Sequence, residues 1–267
     1  MLRNSVSVLI ACCITASLFA QNNALPDQYL KIAEEFRKNT QNDSAMVYYL
    51  RAAVEYHKAV NADGEANAYT QAANILIRQN SYGTAKLYLE KALFVGQSSL
   101  DSNSLTIATT CLSQGVLYGG LENYEQSLFY HNKALAIRLL KLGEFNADVA
   151  TSYGNIGNIY FRNKNNDAAI EAHLKAMKIR EKLFGKTSPE VSQSYANLGN
   201  AYKDKADYAK ALEYYDKALQ NKILQLGPTH KDLAKYYGNV SDMYLMTGNK
   251  EKGALYKAKK ESVSSGN

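Results

Sequence analysis

Apolar and small residues recur along this chain with the period of an α-helix. Tyr153, Ile156, Gly157 and Tyr160 fall at i, i+3, i+4 and i+7, which places them on one face of a helix. The polar residues 163–167 (NKNND) interrupt the pattern, and a second segment with helical spacing follows over residues 168–183. The pattern predicts two helices joined by a short turn.

This helix pair is repeated along the chain. SYGNIGNIY at 152–160 and SYANLGNAY at 194–202 lie 42 residues apart and share six of their nine letters. At the same step a small residue recurs, followed three positions later by a large one; the small residues are Ala73, Gly115, Gly157, Gly199 and Ser241, and the large ones are Leu76, Tyr118, Tyr160, Tyr202 and Tyr244. A fixed period of this size indicates stacked helical units.

The repeat predicts an all-α chain of about six helix pairs. The first pair, which carries Ala33 and Phe36, is offset by 40 residues rather than 42. After residues 1–20, the domain spans residues 21–267, and its predicted units cover about 27–64, 66–106, 108–148, 150–190, 192–232 and 234–263. Small residues at the crossing points let paired helices approach within about 8–10 Å, and the tyrosines fill the space beside them.

The residues that end the predicted helices also recur at equivalent positions in successive units. Gly143, Gly185 and Gly227 occupy equivalent places at the predicted ends of second helices, where glycine is a common cap. Thr187 and Glu190 have the spacing of a capping box, and Pro189 is tolerated in a first turn. The next helix is therefore predicted to begin here.

The sequence pattern of these helix pairs resembles the tetratricopeptide repeat. ANLGNAY at 196–202 and DYAKALEYYDKAL at 207–219 are similar to its first and second helices, and Leu226, Gly227 and His230 are similar to the linker of the longer kinesin-light-chain type. The resemblance covers the chain after residue 20. It implies a right-handed superhelix whose first helices line a concave groove that binds peptides or partner proteins.

The N-terminus has the layout of an export signal. Arg3 precedes sixteen uncharged residues, 5–20, and a polar stretch follows. We expect a signal peptide over residues 1–20 cleaved after Ala20, and a bacterial protein that is periplasmic or secreted, without membrane insertion after cleavage. Two alternatives stay open: an uncleaved anchor, and a lipoprotein in which Cys12 is lipidated.

Candidate catalytic chemistry is sparse. After cleavage Cys111 is the only cysteine, and it falls at a periodic apolar position. His131 and His173 lie one period apart where Leu89 and Tyr215 also fall, so a packing role is favoured over a ligand or a base. No metalloprotease, hydrolase or phosphate-loop motif occurs. We therefore expect no enzymatic activity, no metal and no cofactor. The net charge of +6 is spread along the chain, which argues against nucleic acid as a partner.

The best candidate site is a polar stripe on the first helices. Asparagine is a poor helix former, yet it recurs in mid-helix, and its amide can both donate to and accept from a peptide backbone. The alternative, that these residues bridge repeats or belong to the repeat consensus, is equally open. Arg162 and Lys235 are the cations on this part of the stripe, so recognition of an acidic C-terminus is doubtful. The candidate residues are Asn155, Asn158, Arg162, Asn197, Asn200, Lys235 and Asn239.

We expect a module that binds a protein or peptide partner in the groove. The alternative is an assembly or sensory scaffold subunit of an envelope complex, which acts by self-association or docking and uses the groove only incidentally.

Overall fold

The computed structural model describes residues 24–265, and within that range it contains twelve α-helices and no strand. The predicted signal peptide and Cys12 lie outside the described residues. The helices are α1 (24–38), α2 (Asn42–Lys58), α3 (Ala62–Arg78), α4 (Tyr82–Ser99), α5 (Leu105–Gly120), α6 (Tyr124–Leu142), α7 (Ala147–Arg162), α8 (Asn166–Phe184), α9 (Pro189–Asp204), α10 (Tyr208–Leu226), α11 (Ala234–Met246) and α12 (Lys250–Ser264). A 3-10 turn, Lys231–Leu233, precedes α11.

Within each unit, helices that follow one another in the sequence pack together, which confirms the predicted all-α arrangement of helix pairs. The chain divides into two compact units, Met1–Ile137 and Arg138–Asn267. In the first unit α3 contacts α2, α4 and α5; in the second, α7 to α12 form an unbroken series of neighbouring contacts. One apolar core runs through the second unit from Ala169 to Val263.

The ends of the helices are defined by short polar side chains and glycines. Gly185 and Gly227 end α8 and α10 with φ of +80° and +82°, a left-handed conformation that side chains disfavour, as the sequence predicted. The predicted capping role of Thr187 is wrong. Pro189 is the first residue of α9, so the extended Ser188 before it is the cap, and its hydroxyl accepts from the Val191 N–H.

Within three of the pairs, a large ring of the second helix lies against a glycine of the first, at Gly115, Gly157 and Gly199. A Cβ added to Gly157 would lie 2.7 Å from His173 Cε1, and one added to Gly199 would lie 2.6 Å from Tyr215 Cδ1. Both rings are buried. The predicted close approach of the helices is therefore confirmed, and His173 has a packing role.

Two of the tyrosines three positions after a crossing glycine, Tyr202 and Tyr118, stack on rings of the second helix. Tyr202 and Tyr214 are nearly parallel with centroids 5.5 Å apart, and Tyr118 stacks on Tyr130 in the same way. The Lys217 ammonium lies 5.1 Å from the Tyr214 ring centroid, so its charge contacts the outer edge of the aromatic layer. Stacking thus accounts for part of the high tyrosine content.

Two arginines bond from a second helix to the first helix that follows it; Arg138 is buried and Arg180 is half-buried. The Arg138 guanidinium donates to the Asp148 carbonyl at 3.1 Å and to the Ser152 hydroxyl at 2.9 Å. One period later Arg180 donates to the Ser194 hydroxyl at 2.8 Å. Each arginine extends from a second helix to the first helix of the next pair, which fixes their register.

Overpacking the glycine contact is expected to destabilise the fold. Gly157→Leu, or Ala176→Leu at a fully buried position, should lower the free energy of unfolding by roughly 1–3 kcal/mol or more, since the neighbouring helix has no room to retreat. Gly83→Ala is the control, because a Cβ there meets nothing within 4 Å; it should raise stability slightly. Equal melting temperatures for Gly157→Leu and wild type would contradict this packing.

The buried imidazole should make the fold acid-sensitive. Burial, aided by the Arg180 charge, lowers the pKa of His173 from 6.5 to about 4. Between these values the unfolded chain binds a proton that the folded chain does not, so the free energy of unfolding should fall as the pH drops, by up to about 3 kcal/mol. Urea unfolding at pH 7 and pH 4.5 measures this loss. His173→Tyr, which copies Tyr215, should reduce it; an unchanged loss would refute the assignment.

Candidate functional site

Cys111, His131 and His173 are buried, whereas His57 is exposed and His230 is partly exposed. No group of three or more His, Cys, Asp or Glu side chains in this range is placed to hold a metal ion. Cys111 is fully buried, and burial raises the pKa of its thiol to about 11, so it is protonated at neutral pH. The chemistry of this molecule is therefore to be sought on its surface.

The seven candidate residues all lie on the first helices of the second unit. Asn155, Asn158 and Arg162 are on α7, Asn197 and Asn200 on α9, and Lys235 and Asn239 on α11. We call the five asparagines the amide row: Asn155, Asn158, Asn197, Asn200 and Asn239. Asn158, Arg162 and Lys235 are exposed, and the others are partly exposed.

Hydrogen bonds divide the amide row into two groups. The Asn200 Oδ1 accepts from the Tyr215 hydroxyl at 2.6 Å, and the Asn197 Oδ1 accepts from Gln193 Nε2 at 2.8 Å. In the described range the side chains of Asn155, Asn158 and Asn239 make no such bond. Asn200 therefore serves packing, whereas these three amides are available to a ligand.

The Tyr215 hydroxyl is the donor in its hydrogen bond to Asn200. Burial raises the pKa of its phenol, and the Asp204 and Asp242 carboxylates raise it further. The hydroxyl therefore stays protonated and can donate to Asn200 at any physiological pH. This bond joins α9 to α10 beneath the amide row.

A basic cavity lies beside the first turn of α11. Its volume is about 370 Å³, and Lys222, Lys231 and Lys235 line it together with Asp232 and Tyr236. The three ammonium groups form no ion pair with any residue in the range 24–265. Lys235 lies 5.0 Å from the Tyr236 ring centroid. This cavity can accept an anionic group.

The opposite end of α11 borders an acidic cavity. It has a volume of about 400 Å³, and Asp204 and Asp242 line it with one base, Lys203, and with Tyr208 and Met246. The Lys164 ammonium lies 3.3 Å from Asp204 Oδ2, which joins the ends of α7 and α9. The amide row thus has a basic cavity near one end of α11 and an acidic one near the other.

Sequence reasoning missed Lys222 and Lys231, although the repeat contains a signal for both. Lys222 lies 42 residues after Arg180, which bonds to Ser194. The residue 42 positions after Ser194 is Tyr236, so Lys222 has no equivalent serine partner. Lys231 stands where the preceding pair has Pro189. A search for departures from the repeat would have found both lysines.

Among the described residues, no helix is both long enough and apolar enough to cross a lipid bilayer.

Comparison with known proteins identifies the repeats. Residues 148–223 and 66–93 match sequence profiles described as tetratricopeptide repeat. No curated protein sequence matches the chain. The chain therefore carries tetratricopeptide repeats in both units.

Solved structures with this fold span nearly the whole chain. BtubC (BKLC) from P. vanneervenii is 18% identical, with a TM-score of 0.70 over 93% of this chain and 91% of that one. PilF from Pseudomonas aeruginosa is 14% identical, with a TM-score of 0.66 over 92% and 95%. A putative kinesin light chain from Podosopora anserina is 14% identical, with a TM-score of 0.67 over 74% and 94%. At these identities the likeness shows the fold, a tetratricopeptide solenoid.

The two groups of asparagines should respond differently to alanine. Asn200→Ala leaves the buried Tyr215 hydroxyl without its acceptor and should lower the free energy of unfolding by about 1–3 kcal/mol. Asn158→Ala removes no bond and places a better helix former on an exposed face, so stability should be unchanged or slightly higher. Chemical denaturation of the two variants measures both effects. Equal losses would show that the amide row is structural throughout.

Proposed function

Because the chain carries tetratricopeptide repeats, which generally mediate protein–protein interactions, we propose that it binds a protein or peptide partner on the amide row. The binding residues are those predicted from the sequence: Asn155, Asn158, Arg162, Asn197, Asn200, Lys235 and Asn239. One observation carries the proposal: within residues 24–265 the side-chain amides of Asn155, Asn158 and Asn239 make no hydrogen bond.

These amides are better explained by a ligand than by the fold. Asparagine costs helix stability at an exposed mid-helix position, and no hydrogen bond within the described chain offsets that cost at the three sites. An extended peptide exposes backbone N–H and C=O groups along its length, and each amide can bond to both kinds of group. Recurrence at a 42-residue step matches a ligand that runs across successive first helices.

Charges at the two ends of α11 would fix the direction of the bound segment. Lys222, Lys231 and Lys235 suit a carboxylate of the partner, whereas Asp204 and Asp242 suit an amine or a guanidinium. Since both signs are present, a segment with separated acidic and basic ends fits better than a uniformly acidic one. This agrees with the absence from the sequence of a basic clamp for an acidic C-terminus.

The binding partner is proposed to lie outside the cytoplasm. This part of the proposal rests only on the sequence of residues 1–20, whose basic start, apolar segment and small residue at the predicted cut are typical of an export signal. A lipid anchor at Cys12 is the less favoured form of the same export.

The proposal predicts that three alanines weaken binding without loss of the fold. A photo-crosslinking residue in place of Asn158 should capture the partner in the native host, and calorimetry with that partner then measures affinity. Asn155→Ala/Asn158→Ala/Asn239→Ala should weaken binding by roughly tenfold or more.

The matched control removes three exposed amides of second helices, in the variant Gln126→Ala/Asn132→Ala/Gln220→Ala. It should bind like wild type. If both triple variants bind with wild-type affinity while circular dichroism shows intact helices, the amide row is not the binding site.

A further inference from the structure

The first unit carries an apolar surface that repeats with the helix pairs. A cavity of about 420 Å³ is lined by Tyr29, Val47, Arg51 and Val54, and one of about 620 Å³ is lined by Tyr69, Leu87, Lys91 and Phe94. Each residue of the second set lies 40 positions after its counterpart in the first. The two cavities are therefore the same feature in successive repeats.

The apolar side chains around these cavities are open to solvent. Val47 and Val54 on α2 and Leu87 and Phe94 on α4 have 45%, 50%, 59% and 72% of their surface exposed. Phe129 on α6 lines neither cavity, but it stands 42 residues after Leu87 and is 57% exposed. We call these five residues the outer apolar face. Val47 and Val54 are seven residues apart, as are Leu87 and Phe94, so each pair lies on one side of its helix.

The repeat itself does not require apolar residues at these positions. In the second unit the positions equivalent to Leu87 hold Glu171 and Glu213, and those equivalent to Phe94 hold Lys178 and Gln220. These polar residues are exposed on the same kind of helix. The outer apolar face is thus a property of the first unit that packing within the described chain does not explain.

The area of this face is comparable to what an interface requires. From their exposed fractions, the five side chains present on the order of 500 Å² of apolar surface, the size of the largest patch on a typical monomer, which is often functional. One side of a standard interface buries about 800 Å², of which roughly 60% is apolar. The face therefore supplies about the apolar area of one complete side.

The charged residues around the outer apolar face indicate which kind of molecule binds there. Arg51, Lys58, Lys86 and Lys91 are interspersed with Glu55, Glu65 and Glu90, so the two signs nearly cancel. The whole chain carries +6, so two copies repel one another over most of their surfaces. A nearly neutral face with both signs is self-complementary, because a two-fold axis can bring the acids of one copy to the bases of the other.

We propose that the outer apolar face forms a two-fold interface between two copies of this chain. Leu87 and Phe94 form its centre, and Val47, Val54 and Phe129 extend it along the neighbouring helices. The interface uses second helices of the first unit, whereas the amide row lies on first helices of the second unit. Dimerisation is therefore independent of the proposed partner binding.

Sedimentation of the purified full chain tests this proposal. Wild type should be dimeric at micromolar concentration. Leu87→Glu/Phe94→Lys, which installs the residues found at 171 and 178, should weaken the dimer by about a hundredfold or more and leave helix content and melting of the monomer intact. Leu224→Glu is the control, because Leu224 is 73% exposed on α10 of the second unit and is not one of the five residues of the face; this variant should stay dimeric.

An experiment with exchanged charges distinguishes a second copy of this chain from any other occupant of the face. It does not require the apolar variant to fold. With the seven charged residues named above, Glu90→Lys changes the charge of the face from +1 to +3, and Lys86→Glu/Lys91→Glu changes it to −3. Each variant alone should therefore be monomeric, and an equimolar mixture should form heterodimers. A monomeric wild type at about 100 μM would overturn the proposal. So would a dimer that survives Leu87→Glu/Phe94→Lys, or two charge variants that fail to associate when mixed.

Discussion

The structure depends on a small residue at the crossing of each helix pair, which is glycine in the three central pairs. At Gly157 and Gly199 the space that a Cβ would need is filled by a ring of the partner helix, His173 in one pair and Tyr215 in the next. This contact sets how closely the helices approach, and after Gly199 it also sets where Tyr202 stacks on Tyr214. It also brings the second helix near enough for Arg180 to bond to Ser194 of the following pair. Register within a pair and register between pairs therefore follow from the same constraint.

A chain under this constraint shows its specific features where it departs from the repeat. Positions in the crossing, the stack and the arginine link recur because packing requires them. Lys222 and Lys231 break the pattern of the preceding junction, and Leu87 and Phe94 differ from the polar residues at the same positions further along. Because each departure lies on the surface, it changes what the molecule can contact and leaves the helix pair intact. The two proposed interaction surfaces consist largely of such residues, together with the amides.

The sequence was sufficient for the fold class because the period is long and its small residues are constrained. It predicted helix pairs, glycine caps at Gly185 and Gly227, and a packing role for His173. It was less reliable where chemically similar neighbours compete, as with Thr187 and Ser188, since only the backbone at Pro189 decides which of them caps α9. For the site, the sequence placed the asparagines on their helices but did not show which were bonded. It also did not predict that Lys222 and Lys235 line the same cavity, because the turn between α10 and α11 determines how close they lie.

The amide row shows why a repeated residue need not have a repeated role. Asn158 and Asn200 are equivalent by period, yet only Asn200 bonds to the ring that lies against the neighbouring glycine. In its pair that ring is Tyr215, whose hydroxyl extends past Gly199 to the amide. In the preceding pair the ring is His173, which fills the same space but carries no hydroxyl, and in the described range the amide of Asn158 makes no hydrogen bond. A buried residue thus determines whether a surface asparagine serves the fold or is available to a partner. Exchange of histidine and tyrosine at the crossing is therefore a route by which such repeats could gain or lose binding groups without any change on the surface.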